Sequence, residues 1–228
     1  MCIRDSNLPL QDRLKSFVLR RGRLTSNQSR ALSEHWDKFI LDNEEKLSNI
    51  WTQEPSILDI GFGSGETTAY LAKTNPKMLI LGAEVYLSGI GSLLSKANVE
   101  SLNNIKILNS DIVPFLEDKV SDNCFDLILM FYPDPWPKRK HHKRRLLQKD
   151  FIDLVNKKLK QNGIFYFKTD WVHYFDETKK LVNNDINWRV LQKENLKEYL
   201  VNLPKTSFEM KALQAKRKLN ELILQKTC

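Results

Sequence analysis

Short runs of apolar residues alternate along this chain with longer stretches of helical periodicity, and this alternation limits the fold more than any other feature. The two periodicities predict buried strands and helices in turn. The predicted strands are 56–60, 78–83, 105–108, 125–131 and 163–168, and the predicted helices are 29–47, 66–73, 89–101, 149–160 and 174–183. Such alternation predicts an α/β fold, a Rossmann-like doubly wound and mostly parallel sheet with helices on both faces.

The last part of the chain is less regular. Residues 188–191 are a weaker candidate for a strand, and residues 205–224 mix polar and apolar types too evenly for an assignment. The 228 residues, of which 41% are apolar, suit a single domain with short extensions. We therefore expect residues 1–50 to form a basic, helical N-terminal extension and residues 51–228 to form the main domain.

The charge balance favours a polyanionic partner without requiring one. Lys and Arg number 36 against 28 Asp and Glu, which gives a formal net charge of +8. The cysteines, Cys2, Cys124 and Cys228, are scattered and lack CxxC spacing, so they predict neither a disulfide framework nor a zinc site, and a reducing, cytoplasmic setting is expected. No run of about 18 apolar residues occurs, so no membrane span is predicted. The oligomeric state, monomer or homodimer, stays open.

A strand that runs into a glycine-rich turn and then a helix predicts a cofactor site at residues 56–65. Gly61, Gly63 and Gly65 allow backbone to pass close to a ligand, and Asp59 lies two residues before the first of them. The spacing is GxGxG, whereas dinucleotide-binding proteins have GxGxxG. A carboxylate at this entry would repel a pyrophosphate and attract an amine-bearing ligand. The motif therefore favours S-adenosylmethionine over NAD.

Two further acids follow the next two predicted strands. Glu84 ends the second strand, about 20 residues beyond the glycines, where an acid can accept hydrogen bonds from both ribose hydroxyls. Asp111 follows the third strand, in a place suited to the exocyclic amino group of an adenine. Acids at three successive strand ends favour a bound nucleoside cofactor over a purely structural turn.

The fourth predicted strand ends in the segment Pro133-Asp-Pro-Trp-Pro-Lys138. Its three prolines stiffen the loop and hold Asp134 and Trp136 at the carboxyl end of the strand, where a methyl acceptor would lie. Many amino-group methyltransferases carry a related motif of an acid, prolines and an aromatic residue here. Asp134 is the expected catalytic residue, and Trp136 is a candidate for stacking on an unpaired base. A rigid turn with a core-filling Trp136 is the structural alternative.

A run of basic residues comes immediately after this loop. Residues 138–145 carry six formal positive charges, and the run begins with Lys138 and ends with Arg144 and Arg145. Because the run adjoins the expected reaction centre, phosphate contacts are favoured over a merely solvated face. A second basic segment lies at 20–23. His141 and His142 have no acidic or cysteine neighbours at metal-binding spacing, so they are assigned to the basic patch and no metal site is predicted.

Together these segments resemble the bacterial tRNA (guanine-N7-)-methyltransferases, a family of class I S-adenosylmethionine-dependent enzymes. The likeness extends from about Ser16 to Lys218. It rests on Phe17-Val-Leu-Arg-Arg-Gly-Arg, Leu58-Asp-Ile-Gly-Phe-Gly-Ser-Gly, Gly82-Ala-Glu-Val, Phe131-Tyr-Pro-Asp-Pro-Trp-Pro-Lys, the run from His141 to Arg145, Lys168-Thr-Asp-Trp and Thr206-Ser-Phe-Glu. The Asp-Pro-Trp-Pro-Lys segment followed by His and Lys-Arg-Arg is the most specific of these.

The resemblance implies a role for individual residues. Those expected to bind the cofactor are Asp59, Glu84, Asp111 and Asp134, and those expected to bind the substrate are Lys138, Asp170, Thr206, Phe208 and Glu209. After Glu209 many relatives have arginine and glycine, whereas this chain has Met210-Lys-Ala. Lys211 would keep the charge without the planar fork of arginine.

The resemblance also implies the reaction, which is methylation of a guanine in the variable loop of tRNA at its N7 nitrogen. That nitrogen carries an in-plane lone pair, so no strong base is required. Catalysis then consists of positioning and of balancing the positive charge that moves onto the guanine, with Asp134 orienting the base and Asp170 accepting a hydrogen bond from its edge. A base that is stacked in the tRNA must first be extruded.

Three other functions remain as alternatives. The Asp-Pro-aromatic loop is compatible with an S-adenosylmethionine-dependent methyltransferase of protein amide or amino groups, although an acidic patch for a basic protein is absent. An inactive RNA-binding module of the same fold would be expected to lack Asp59 or Glu84, and both acids are present. A nicotinamide dehydrogenase is disfavoured by the glycine spacing.

Overall fold

The computed structural model describes residues 15–18, 22–41, 56–196 and 198–227. Seven strands form one sheet in the order β3-β2-β1-β4-β5-β7-β6. They are β1 Ser56–Ile60, β2 Leu79–Ala83, β3 Ile105–Leu108, β4 Phe125–Phe131, β5 Leu159–Thr169, β6 Trp188–Leu191 and β7 Asn220–Lys226. Strands β1 to β5 pair in parallel, and β7 pairs antiparallel with both β5 and β6. The strand order reverses between β1 and β4, which is the position where sheets of this kind bind ligands.

Helices cover both faces of the sheet, as the doubly wound prediction requires. They are α1 Ser26–Phe39, α2 Glu66–Thr74, α3 Leu87–Val99, α4 Ile112–Lys119, α5 Lys149–Lys158, α6 Val172–Val182, α7 Glu198–Val201 and α8 Ser207–Gln214. Buried side chains of α1, α2 and α3 form one core with one face of the sheet. Those of α4, α5 and α6 form the second core with the other face.

Helix α1 begins three residues before the predicted start and ends well before the predicted end. Thr25 starts it with a capping box, because its hydroxyl accepts from the Gln28 N–H at 3.2 Å while the Gln28 side chain accepts from the Thr25 N–H at 2.9 Å. It ends at Phe39 because Ile40 is extended and forms a β-bridge with Ile107 of β3. Residues 42–47 of the predicted helix, and the expected domain boundary at residue 50, lie outside the described residues.

The other predicted elements are confirmed, most of them closely. Strands β1, β3 and β4 have the predicted bounds, and the ends of α2, α3, α5 and α6 differ from prediction by one or two residues. The candidate strand at 188–191 is confirmed as β6. Strand β5 begins at Leu159, four residues before the predicted start, because Leu159 pairs with Phe125 ahead of an irregularity in the ladder.

The sequence did not predict four of these elements, which are α4, α7, α8 and β7. Helix α4 is short and carries Pro114 in its first turn, which a helix tolerates because that N–H has no partner within the helix. The unassigned region 205–224 contains α8 and most of β7. Within the described parts of the chain, no helix is both long enough and apolar enough to cross a membrane.

Candidate active site

A cavity of about 910 Å³ opens at the carboxyl ends of β1, β2 and β4. Its walls come from the glycine turn, the end of β2, the proline loop, the start of α8 and the N-terminal segment 16–18. The position is the switch point of the sheet, and the volume is in the range of sites that enclose a cofactor-sized ligand. The predicted cofactor and acceptor segments therefore share one cavity.

The glycine turn has the backbone conformation that its sequence predicts. Gly61, Gly63 and Gly65 have φ angles of +70°, +59° and +78°, which other residues rarely adopt. A Cβ on Gly65 would lie 2.8 Å from the side chain of Leu93 on α3. Gly89, which the sequence did not single out, is also required, because a Cβ there would lie 2.3 Å from the carbonyl oxygen of Gly63.

Glu84 ties the glycine turn to the end of β2. Its carboxylate accepts hydrogen bonds from the backbone N–H groups of Gly63 at 2.9 Å, Val85 at 2.7 Å and Tyr86 at 3.0 Å. Burial raises the pKa of Glu84, the three N–H donors lower it, and the nearby charge of Asp134 raises it again. A carboxylate has about four acceptor positions, so these bonds leave capacity for a ribose hydroxyl.

Asp59 lies behind the turn and faces α2. It is 2% exposed and accepts a hydrogen bond from the Thr68 hydroxyl at 2.7 Å. The pKa of Asp59 is raised to about 7, mainly by burial; the Thr68 hydrogen bond opposes this rise, and the charges of Glu84 and Glu66 add to it. The side chain borders a small cavity next to the large one. From this position Asp59 would act on a ligand through its charge, across the glycine turn, and not by direct contact.

Asp111 caps helix α4. Its side chain accepts from the Val113 N–H at 3.1 Å, and it is half-buried. Its neighbours Ser110 and Ile112 line the large cavity. These two residues follow β3, so they line the side of the cavity away from β4. The contact of Asp111 with an adenine stays a prediction.

The proline loop is held in a strained conformation. Tyr132 and Trp136 have positive φ angles of 53° and 46°, uncommon for bulky residues. Each such residue costs about 1–3 kcal/mol and persists only where its surroundings enforce it. Asp134 lies between them and is exposed on the cavity wall. The strain therefore surrounds the residue expected to act on the acceptor.

Trp136 contacts the N-terminal segment. Its indole N–H donates to the Ser16 carbonyl at 2.9 Å, the guanidinium of Arg144 lies 5.2 Å from its ring, and the His141 ring meets it edge-on at 5.8 Å. Tyr86 makes a second link of this kind, from its hydroxyl to the Val18 carbonyl at 2.9 Å. Trp136 also lines the cavity, and its stacking on an unpaired base stays a prediction.

The basic run forms a 3-10 helix, Arg139–Arg144, at the rim of the cavity. Lys138 is exposed and lines the cavity, as expected of a substrate contact, and Arg144 is half-buried. Arg145 differs from its neighbours, since it is 2% exposed and its Nε donates to the Pro135 carbonyl at 2.8 Å. Arg145 was predicted as a phosphate contact, but burial inside the protein suits a supporting role for this side chain.

Helix α8 closes the opposite rim. Thr206 caps it by accepting from the Glu209 N–H at 3.1 Å, and Phe208, 51% exposed, packs over Gly63. Glu209 lies 3.9 Å from the Lys168 ammonium and accepts a hydrogen bond from the Tyr132 hydroxyl. Of the predicted substrate residues in this segment, Phe208 lines the large cavity, and the substrate contacts of Thr206 and Glu209 stay predictions.

Two lysines and one acid complete this region. Burial raises the pKa of Tyr132 and lowers that of Lys168, and the charge of Glu209 opposes the shift at the lysine. Asp170, predicted as a substrate contact, is half-buried and forms an ion pair with Arg217 at 2.7 Å. Lys96 was not predicted; its ammonium donates to the Ser64 carbonyl at 2.6 Å and braces the glycine turn from α3.

Comparisons with known proteins agree with this arrangement. A family model described as "Putative methyltransferase" matches residues 53–222. The tRNA (guanine-N(7)-)-methyltransferase of Yersinia enterocolitica is 35% identical over 214 residues, which cover 91% of this chain and 89% of that protein. The protein of the same name from Colwellia psychrerythraea is 38% identical over 166 residues, 71% of this chain and 68% of that protein.

Solved structures show the same fold at low sequence identity. The 16S rRNA methyltransferase KamB has a TM-score of 0.56 and 15% identity over 82% of this chain and 95% of its own. A structure described as an antibiotic-related methyltransferase has a TM-score of 0.54 and 18% identity over 82% of this chain and 96% of its own. The family model matches most of this chain, and the Yersinia enterocolitica relative covers 91% of it. This chain therefore belongs to the tRNA (guanine-N(7)-)-methyltransferase family.

Proposed function

We propose that this protein transfers a methyl group from S-adenosylmethionine to the N7 of a guanosine in the variable loop of tRNA, forming 7-methylguanosine. One observation carries the proposal: the glycine turn with Glu84 and the proline loop with Asp134 open into the same cavity. Donor and acceptor can therefore meet without a large movement of the sheet. The names of the curated relatives agree with this reaction.

The residues present fit S-adenosylmethionine. The glycines at 61, 63 and 65 allow close backbone approach, and Glu84 retains acceptor capacity for a ribose hydroxyl. We propose that Asp59 supports the amino group of the methionine part through its charge and that Asp111 contacts the adenine. When bound, this molecule supplies a methyl group on a positively charged sulfur.

Asp134 acts on the acceptor. Guanine N7 attacks with its own lone pair, so no proton has to be removed from it. Positive charge moves onto the guanine as the bond forms, and a carboxylate beside the ring stabilises that charge most in the transition state. Asp134 is exposed on the cavity wall at the end of β4, where it can orient the base and balance the charge.

Basic residues at the rim bind the tRNA backbone. Lys138 and the 3-10 helix Arg139–Arg144 stand beside the acceptor loop, and Lys211 lines the cavity from α8. Their placement on two sides of the opening suits an RNA strand that enters between them. Phosphate contacts of this kind make binding strongly dependent on salt. We place the reaction in the cytoplasm, where tRNA is available.

Purified protein, labelled S-adenosylmethionine and unmodified tRNA transcripts test the proposal. We expect label in 7-methylguanosine of the variable loop, and no label in a transcript in which that guanosine is replaced by adenosine. The matched enzyme control is Asp134→Asn, which keeps the size of the side chain and removes its charge. Label in another nucleoside would contradict the proposed acceptor, and label in protein but not in tRNA would favour the protein-methyltransferase alternative.

A further inference from the structure

The side chain of Arg145 lies inside the protein although it ends a basic surface segment. It is 2% exposed, and its Nε donates to the Pro135 carbonyl at 2.8 Å. Its Nη1 reaches the carboxylate of Glu177 and lies 3.0 Å from Nδ1 of His173, both on α6. The guanidinium also lies 4.8 Å from the ring centre of Tyr174. One side chain thus joins the proline loop to helix α6.

The proline loop needs such a support. The strained residues Tyr132 and Trp136 flank it, and Pro135 is the residue between Asp134 and Trp136. A strained backbone persists only where surrounding groups enforce it. The Pro135 carbonyl is the point at which Arg145 acts on the loop, one residue from the acid that faces the acceptor.

The chemistry of the guanidinium suits support better than phosphate binding. Arginine can donate in two directions at once from a planar fork, and here one edge takes a backbone carbonyl while the other takes a carboxylate. The charge is already paired with Glu177. Nη2 is buried and has no hydrogen-bond partner among the described residues, a cost that the other contacts must outweigh.

A metal site at the same place is a weaker interpretation. His142, His173 and Glu177 offer ligand atoms within 4.8 Å of one another. However, Nη1 of Arg145 already contacts both His173 and Glu177, so a cation would have to displace a positive charge that is buried beside them. The cluster is therefore better explained as the binding site of the arginine itself.

We propose that Arg145 is a positioning residue for methyl transfer and that Glu177 is its anchor: together they hold the Asp134 loop, and Arg145 does not contact tRNA phosphate. The inference rests on the proposed function, since it assigns Asp134 to the acceptor. Arg145 thus has a different role from Lys138 and the exposed residues of the 3-10 helix, which bind RNA.

Arg145→Lys is the first test, because it keeps the charge and loses the fork. We expect kcat with saturating tRNA to fall by about 10- to 100-fold, because a shift of about 1 Å in a reacting group can cost this much. The tRNA Kd and its salt dependence should stay within about twofold, since the number of phosphate contacts is unchanged. Arg189→Lys, on the exposed side of the edge strand β6, is the matched control and should leave kcat unaltered.

Glu177 separates the two roles more sharply, because they predict opposite results. If Arg145 held a phosphate, Glu177→Ala would free its charge, strengthen tRNA binding and leave kcat unchanged. If Arg145 holds the loop, kcat falls while tRNA binding is unchanged. Glu177→Gln should restore part of kcat, since its amide oxygen still accepts a hydrogen bond. Glu194→Ala, an exposed acid, serves as the control.

Hydrogen exchange gives a readout that does not depend on methyl transfer. We expect the amides of Asp134, Trp136 and Lys138 to exchange faster in Arg145→Lys and Glu177→Ala than in the unchanged protein, without tRNA present. Unaltered exchange and kcat, with a weaker tRNA Kd and a salt slope reduced by about one, would overturn the proposal. If Arg145→Lys fails to fold, the variants of the partly exposed Glu177 decide. If the unchanged protein makes no 7-methylguanosine, the proposed function fails, while the exchange result still tests the support of the loop.

Discussion

The two halves of the cavity are built in different ways. On the cofactor side, the glycine turn and Glu84 directly follow two adjacent β-strands, and Glu84 makes its contacts with backbone N–H groups. On the acceptor side, the proline loop is held by side chains from distant parts of the chain, through Trp136 to Ser16 and through Arg145 to Glu177. A site can thus combine a rigid, local cradle with a loop that depends on long-range support.

Replacement of Asp134 should have the largest effect, and mainly on the acceptor side. We expect Asp134→Ala to lower kcat by about 100-fold or more, since electrostatic groups that act on the transition state are worth this much. Binding of S-adenosylmethionine, measured by calorimetry, should weaken by less than about tenfold, as for the loss of one hydrogen bond, because the other three acids expected at the cofactor, Asp59, Glu84 and Asp111, remain. A comparable loss of cofactor binding would show that the two halves are not separable.

The matching change on the cofactor side is Glu84→Gln. Its amide would place an N–H₂ group against one of the three backbone donors that the carboxylate now accepts. We expect the Kd for S-adenosylmethionine to rise by about 10- to 100-fold, equivalent to about 1.5–3 kcal/mol for hydrogen bonds to a charged group. The tRNA Kd measured without cofactor should not change. Weaker tRNA binding in this variant would contradict a local role.

Asp59 predicts a pH dependence of stability that belongs to the cofactor side. Its pKa is about 7 in the folded protein and 3.8 when unperturbed, so between these values the folded state binds more protons than the unfolded state. The contribution of Asp59 therefore stabilises the fold at low pH and is lost as the pH rises from about 4 to about 7. Urea unfolding of the cofactor-free protein over this range should show a loss that Asp59→Asn lacks. Asp134→Asn, at an exposed site, is the control and should keep the dependence.

The smallest effect is expected at the rim. Arg144→Ala should weaken tRNA binding by about 3- to 10-fold and reduce the salt slope of log Kd by about one, the signature of one lost phosphate contact. Filter binding over a series of salt concentrations measures both quantities. An unchanged slope would mean that Arg144 acts through its contact with the Trp136 ring instead.

Most of the sheet was predictable because strand signals are local. The bounds of β1, β3 and β4 follow from apolar runs that end in turn residues, and the GxGxG spacing identifies its turn. Helix α4 was missed because its eight residues include a proline and show little periodicity. Strand β7 was missed because its partners, β5 and β6, both lie far from it along the chain. Their pairing with β7 therefore leaves no local signal in the sequence.

Site residues divide in the same way. The cavity brings together the glycine turn, Glu84, Asp134, Lys138 and Phe208, all of them singled out from the sequence. Gly89 and Lys96 were not, because their roles depend on how closely α3 approaches the turn. No spacing rule indicates that a glycine or a lysine on a helix will face a backbone carbonyl in another element.

The sequence by itself determined most of the strands, the glycine turn and the acids at the strand ends, because periodicity and backbone freedom are encoded over a few residues. Only the tertiary structure decided what Trp136 and Arg145 contact. Both sit in segments whose composition suggested RNA, yet their polar groups bond to protein atoms in Ser16, Pro135 and Glu177. The physical reason is that a buried polar side chain must find its partners inside the fold, and those partners can lie anywhere along the chain.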